Sequence, residues 1–178
     1  MKPYLYPKLT AVFAFTVGAV LFIGSVMAQE HGTTHDARHK GNSAQAADFA
    51  VREQAVMPFD VTATLHVFED TATGGVQRVT ADDPDDAENI TLIRSHLKDE
   101  AARFAKGDFS DPGFLHGEEM PGLADLEAAG AAAQLTVSYD ELADGAEISY
   151  VSDDPSVVIA LHLWFQAQVV DHGEHATN

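Results

Sequence analysis

Imidazole and thioether side chains are the groups in this sequence whose types and spacing suggest chemistry. His116 and Met120 lie close together in the segment LHGEEMPG, beside two glutamates. Nitrogen and thioether donors together form a ligand set that suits copper. If this segment folds over the neighbouring helices, its ligands would meet His96 or His162, which lie on predicted helices. The pattern therefore predicts a transition-metal site in the folded domain, with copper as the expected cofactor.

A second group of candidate ligands precedes the domain. His31, His35 and His39 are spaced four residues apart, and the predicted mature chain starts two residues before the first of them. A free N-terminal amine, two backbone amides and the His31 imidazole would supply the planar nitrogen set that copper(II) and nickel(II) favour. Cyclisation of Gln29, or cleavage at a neighbouring residue, would remove this chelate and leave only a flexible tail. The leader is therefore predicted to capture metal if Gln29 keeps its amine.

The N-terminal residues have the composition of an export signal. Lys2 and Lys8 precede an uncharged apolar run over residues 9–24. Val26 and Ala28 then provide the small or slim side chains that a signal peptidase requires. The run is shorter than the roughly 20 residues of a membrane span, although a retained anchor is the alternative. Cleavage after Ala28 predicts a periplasmic or secreted protein without membrane attachment.

The chain is strongly acidic and contains no cysteine. Asp and Glu number 28 against 10 Lys and Arg, which gives a formal net charge of -18 at pH 7. This charge disfavours nucleic acid and anionic membranes as partners and favours cations or basic surfaces. Solubility in a salty habitat is an equally good explanation of the charge. Without thiols, neither disulfides nor thiolate metal sites can form.

Composition divides the chain into a signal, a leader, one domain and a short tail. The predicted boundaries are residues 1–28, 29–55, 56–173 and 174–178. The leader is polar and rich in alanine, which predicts a flexible segment. The domain is long enough to build a hydrophobic core of its own.

The domain sequence contains two matching halves. Each half has two strands joined by a glycine-bearing turn, then Asp-Asp-Pro, then a helix with the motif Ile-x-x-His-Leu. We expect Asp83 and Asp154 to cap the two helices, residues 108–122 to form a loop, and a short helix to follow over 122–130. The predicted fold is α+β, a ββα-ββα pseudo-repeat. It would have a four-stranded antiparallel sheet with two helices on one face and a pseudo-twofold axis relating His96 to His162.

Hydrophobic patterning assigns an inner face to the first strand and the first helix. Residues 59–68 alternate between two sets of side chains, which predicts a half-buried strand. The set expected to face the core is Phe59, Val61, Ala63, Leu65 and Val67. Spacings of three and four residues predict a buried stripe on the first helix. That stripe is Ile90, Ile93, Leu97, Ala101 and Phe104.

Several segments of the domain resemble a family of small exported bacterial proteins. They are GGVQRV, IRSHL, GDFSDPGFLHGEEMPGL, LADGAEISY and HLWFQAQVVDHG, within residues 57–175. Many members of this family carry the name aspartate carbamoyltransferase. A transcarbamoylase requires two α/β domains and a phosphate-binding loop, and the mature chain is too short for them, so the resemblance implies an exported domain. It also implies a functional role for His66, His96, His116, Met120, His162 and His172.

Three functions are compatible with the sequence. The leading hypothesis is a periplasmic protein that buffers or delivers a transition-metal ion through the ligands named above. The second is a metal-free interaction module or homodimer that uses a sheet face with Thr62, Thr64 and His66. The third is an enzyme acting on a small substrate near His116, for which no GxSxG, Walker or HExxH motif provides support.

Overall fold

The structure is a computed structural model that describes residues 48–178. The predicted signal peptide and the leader histidines His31, His35 and His39 lie outside the described residues. The helices are α1 (residues 48–56), α2 (Ala87–Phe104), α3 (Ser110–His116), α4 (Leu123–Ala131) and α5 (Pro155–His172). The strands are β1 (Thr64–Thr71), β2 (Gly74–Ala81), β3 (Thr136–Glu141), β4 (Gly145–Val151) and β5 (Ala176–Thr177). Within this part of the chain, no helix combines the length and apolar character needed to cross a membrane.

Five strands form one mixed sheet in the order β3-β4-β2-β1-β5. The four longer strands pair antiparallel, whereas β5 pairs parallel to β1 at the edge. The predicted α+β class is confirmed. The predicted four-stranded antiparallel sheet is wrong, because residues 176–177 of the predicted tail add a parallel strand. The two helices of the predicted plan are joined by three more in the described residues, and the short helix expected over 122–130 is α4.

The face of strand β1 that packs on the core is the opposite of the predicted one. The strand begins at Thr64, after a 3-10 turn over Val61–Ala63. Thr64, His66 and Phe68 are buried, whereas Leu65 is 38% exposed. Both faces of this segment carry apolar side chains, so alternation alone does not select the inner one. The inversion brings His66 into the interior and removes Thr64 and His66 from the surface expected for a metal-free interaction module.

Helices α2 and α5 pack on the same face of the sheet. Tyr150, on the buried side of β4, contacts Phe104 of α2 and Phe165 of α5, with ring centroids 6.4 Å and 5.7 Å away. The predicted stripe on α2 is buried throughout. In α5 the same motif faces solvent, since Ile159 and Leu163 are 60% and 45% exposed. The predicted equivalence of the two halves therefore does not extend to the orientation of their helices.

Aspartate side chains mark the start of both long helices. Asp154 accepts a hydrogen bond from the backbone of Ser156 and precedes Pro155, as predicted. In α2 the cap is Asp86, because Asp83 instead accepts from the backbone of Asp85 in the preceding turn. The sequence thus predicted the type of cap at both helices but the position of only one.

Helix α3 occupies part of the segment that was predicted to be a loop. Asp108 and Asp111 form salt bridges with Arg103 near the end of α2. Phe109 stacks on Phe104 with centroids 4.3 Å apart and planes at 5°. Pro112 lies in the first turn of α3. A proline is tolerated there because the first turn of a helix does not require its missing N–H. These contacts hold α3 against α2 and bring His116, at its end, against α5.

Candidate functional site

Four histidines line one buried cavity between the sheet and the helices. They are His66 of β1, His96 of α2, His116 of α3 and His172 of α5. The cavity has a volume of about 20 Å³. A space of this size holds about one water molecule and has no room for an organic substrate. Four elements that are distant in sequence therefore direct imidazoles to one small polar cavity.

Three of these residues form a continuous group of rings, here called the histidine cluster: His66, His116 and His172. The His172 ring stacks on His66 with centroids 4.9 Å apart and planes at 29°. It meets His116 edge-on at 5.1 Å. Phe49 of α1 packs against the rings of His116 and His172 at 5.4 Å and 5.9 Å. Helix α1 therefore covers one side of the cluster.

Burial keeps two imidazoles of the cluster neutral. It lowers the pKa of His66 from 6.5 to about 3, with further contributions from the neighbouring His172 and His96. Burial and His172 also lower the pKa of His116 to about 4, although Asp171 acts in the opposite direction. A neutral imidazole offers the lone pair that a metal ion requires. At neutral pH these two rings are therefore in the protonation state of a ligand.

Two carboxylates lie behind the cluster. An oxygen of Asp171 is 2.8 Å from Nδ1 of His116, and an oxygen of Glu53 is 3.3 Å from Nδ1 of His172. The hydrogen bond with Asp171 can hold the ring proton of His116 at Nδ1, which leaves the lone pair on Nε2. Metal-binding histidines usually have such a partner. Glu53 belongs to α1, so a segment predicted to be flexible leader contributes to the site.

The opposite side of the cavity holds an ion pair. Nε2 of His96 is 3.4 Å from an oxygen of Glu100, one turn further along α2. Burial is the largest single influence and lowers the pKa of His96, but the close contact with Glu100 and the charge of Asp111 together outweigh burial, so the net pKa is raised. Phe59 contacts the rings of both His66 and His96, at 6.0 Å and 5.6 Å. The cavity thus combines neutral imidazoles with one imidazole that favours its proton.

Three residues that line this cavity carry buried polar atoms without hydrogen-bond partners. Among residues 48–178, no hydrogen bond satisfies the buried atoms Nε2 of His96, Nε1 of Trp164 and Oε1 of Gln168, all from residues that line it. The contact between His96 and Glu100 is therefore an electrostatic one without hydrogen-bond alignment. Buried polar groups nearly always have partners. Their concentration here indicates a place where a small polar ligand or ion gains contacts.

The structure brings two of the four predicted domain ligands to the cavity. His96 and His116 line it. His162 lies elsewhere, because its Nε2 contacts the carbonyl oxygen of Gly74 at 2.8 Å. Its side chain is 28% exposed. Met120 is buried near His116 but lines a groove on the outer side of α5.

The predicted ligand set omitted His66 and His172. The available signal for His66 was its position two residues from Thr64 and Phe68, which share its buried face. His172 follows the buried side of α5 through Phe165 and Gln168, a side that periodicity alone did not identify. In the part of the chain that the structure describes, no group of three or more His, Asp or Glu side chains is already arranged around a metal position. An ion in the cluster would therefore require rotation of the rings.

Comparisons with known proteins add no relative to this description. No family model matches the chain. No curated protein matches it. No solved structure matches it. The functional proposal therefore depends on the geometry and chemistry of the cavity.

Proposed function

We propose that this protein is an exported binding protein for a transition-metal ion and that it buffers or delivers the ion. Copper is the ion to test first. The observation that carries the proposal is the histidine cluster, in which imidazoles from three elements meet beside one cavity. Nε2 of His116, Nε2 of His172 and one nitrogen of His66 would bind the ion. Asp171 and Glu53 would hold the protons on the opposite nitrogens.

The donor set supports this choice of ion. Imidazole nitrogens suit copper, zinc, nickel and iron, and copper(II) binds most tightly among the divalent ions at a given site. The low pKa values of His66 and His116 remove competition from protons at neutral pH. The rings are stacked rather than directed at one centre, so binding would use rotation about side-chain torsions. The unpartnered atoms of Trp164 and Gln168 would then face the ion or its bound water.

The size of the cavity supports storage or transfer over turnover. A volume of about 20 Å³ accepts an ion or a water molecule and excludes a small organic substrate. The leader histidines His31, His35 and His39 would capture the ion first, since α1 connects the leader directly to the cluster. Capture by the leader and storage in the domain are separable, because they use different residues.

Equilibrium dialysis of the mature chain against copper(II) and copper(I) tests the proposal. A variant with His31→Asn, His35→Asn and His39→Asn isolates the domain site, and we expect it to retain one tightly bound copper per chain. Adding His172→Asn should abolish that binding. His162→Asn is the matched control, because it removes an imidazole from the same helix outside the cavity. Circular dichroism would confirm that each variant is folded.

Two results would contradict the proposal. One is that the variant with His31→Asn, His35→Asn and His39→Asn, called the leader variant, binds neither copper(II) nor copper(I). The other is a folded variant carrying His172→Asn that retains the full stoichiometry. Loss of copper binding with His162→Asn but not with His172→Asn would place the copper site at His162, outside the cavity.

A further inference from the structure

A groove runs along the outer side of α5, between that helix and residues 116–121. Its volume is about 710 Å³. Leu163 and Val170, which are 45% and 78% exposed, line it together with Pro121. Ile159, at 60% exposure, extends the apolar stripe by one turn of α5. Exposed apolar side chains grouped on one helix face are typical of interaction sites.

The border of the groove is acidic. Glu118, Glu119 and Asp171 lie along it, and no Lys or Arg is among the described residues that line it. An occupant that buries apolar side chains here would bring its flanking residues next to three carboxylates. Positive charges on the occupant would therefore be favoured, and negative charges would be repelled.

Two occupants from this chain fit the groove poorly. A second copy related by a two-fold axis would face an identical acidic border, and the net charge of -18 adds to the repulsion. The predicted leader over residues 29–47 contains no large apolar residue that could fill the groove. The occupant is therefore expected to come from another protein.

We infer that this groove binds a basic amphipathic helix of a partner protein. In helix-in-groove recognition, apolar side chains at spacings of three and four residues enter a hydrophobic groove. Lys or Arg residues beside that stripe would face Glu118, Glu119 and Asp171 and orient the helix. The groove also borders His116, so a docked helix would lie next to the histidine cluster. The inference stands without metal, because none of these contacts involves an ion.

Fluorescence anisotropy with labelled model peptides tests the inference in a buffer that contains a chelator. The first probe has leucines at helical spacing and lysines elsewhere, over about 14 residues, or roughly four turns. The second replaces every lysine with glutamate, and the third scrambles the leucine–lysine sequence. We expect the first probe to bind the full mature chain about tenfold more tightly than either of the others.

Surface variants locate the binding. Leu163→Gln with Val170→Gln should weaken binding of the lysine peptide by about tenfold, as expected when apolar anchors are lost. Leu65→Gln with Val151→Gln, two apolar residues of the outer sheet face that are 38% and 45% exposed, should leave it unchanged. Glu118→Gln with Glu119→Gln should weaken binding and reduce its dependence on salt.

Three outcomes would overturn the inference. The first is equal binding of the lysine and glutamate peptides. The second is unchanged binding in the variant of Leu163 and Val170. The third is self-association of the wild-type chain in gel filtration that this variant abolishes, because a second copy would then occupy the groove. None of these outcomes bears on copper binding, which the dialysis experiment measures separately.

Discussion

His66 and His172 stack their imidazole rings with centroids 4.9 Å apart in the interior of the domain. The two residues are 2% and 7% exposed. Two positive charges at this separation would repel each other strongly, because the interior screens them weakly. Protonation of His66 within this stacked pair must therefore oppose folding.

Protein freed of metal by a chelator should lose stability as the pH falls from about 7 to about 5. A histidine in the unfolded chain titrates near 6.5, whereas the folded pKa is about 3 for His66 and about 4 for His116. Below 6.5 the unfolded chain binds more protons, so the free energy of unfolding falls by up to about 1.4 kcal/mol per pH unit for each group. The contribution of His96 has the opposite sign. Because its folded pKa is raised, its contribution is fully present below 6.5 and is lost only at higher pH.

Denaturant titrations at several pH values would measure this dependence. His116→Asn should reduce the slope. A free energy of unfolding that is constant or rises on acidification to about pH 5 would show that His66 and His116 are not neutral in the folded state.

Copper in the domain should resist acid better than copper in the leader. Proton competition at His66 and His116 begins near their folded pKa values of about 4 or lower. Imidazoles with an ordinary pKa would compete with protons near pH 6.5. Dialysis at about pH 5.5 should therefore leave copper on the variant with His31→Asn, His35→Asn and His39→Asn. Simultaneous release from the wild type and this variant near pH 6.5 would contradict the account.

Glu100→Gln should lower the pKa of His96 and destabilise the fold. Glu100 is 7% exposed and makes the largest contribution that raises the pKa of His96 against the effect of burial. Glutamine carries no charge, so the pKa of His96 should fall below 6.5, which an NMR titration of its ring protons would detect. We expect the free energy of unfolding to fall by about 1–3 kcal/mol. The loss is limited to this range because His96 can release its proton and so avoid an unpaired buried charge. The exposed neighbour Asp99 offers the control Asp99→Asn, and an unchanged pKa in Glu100→Gln would be evidence against the pair.

Arg94→Lys should destabilise the hairpin of β3 and β4. The Arg94 guanidinium donates to the carbonyl oxygens of Gly145 at 3.1 Å and Ala143 at 3.2 Å, and also to that of Leu142. A lysine cannot reproduce this planar set of donors, so we expect a loss of about 1–2 kcal/mol in chemical denaturation. Lys98→Ala, on the exposed side of the same helix, should have little effect. Copper stoichiometry should not change in either variant, because neither residue lines the cavity.

The sequence predicted the orientation of an element where only one of its faces is apolar enough to pack on the core. Helix α2 has a single apolar stripe, so Ile93 and Leu97 could only face the core. Strand β1 has apolar residues on both faces, and the predicted register placed His66 on the wrong one. Helix α5 is apolar on several sides, so the side with Trp164 was not distinguished from the side with Leu163.

The sequence predicted a site built from histidines but did not predict which histidines line the cavity. Histidine was predicted as the residue type that holds an ion, and two of the predicted ligands, His96 and His116, line one cavity. The contact between His66 and His172 depends on how β1 and α5 meet, which no local pattern encodes. Met120 and His162 were selected by proximity in sequence and by a repeated motif, and both lie outside the cavity.

Pulsed electron paramagnetic resonance of copper(II) bound to the leader variant tests the central claim most directly, because it detects coupling to imidazole nitrogens. The account predicts coupling to more than one imidazole, loss of the bound-copper signal in His172→Asn, and no change in His162→Asn. A spectrum without imidazole coupling, or one that His172→Asn leaves unaltered while His162→Asn changes it, would contradict an ion held by the histidine cluster.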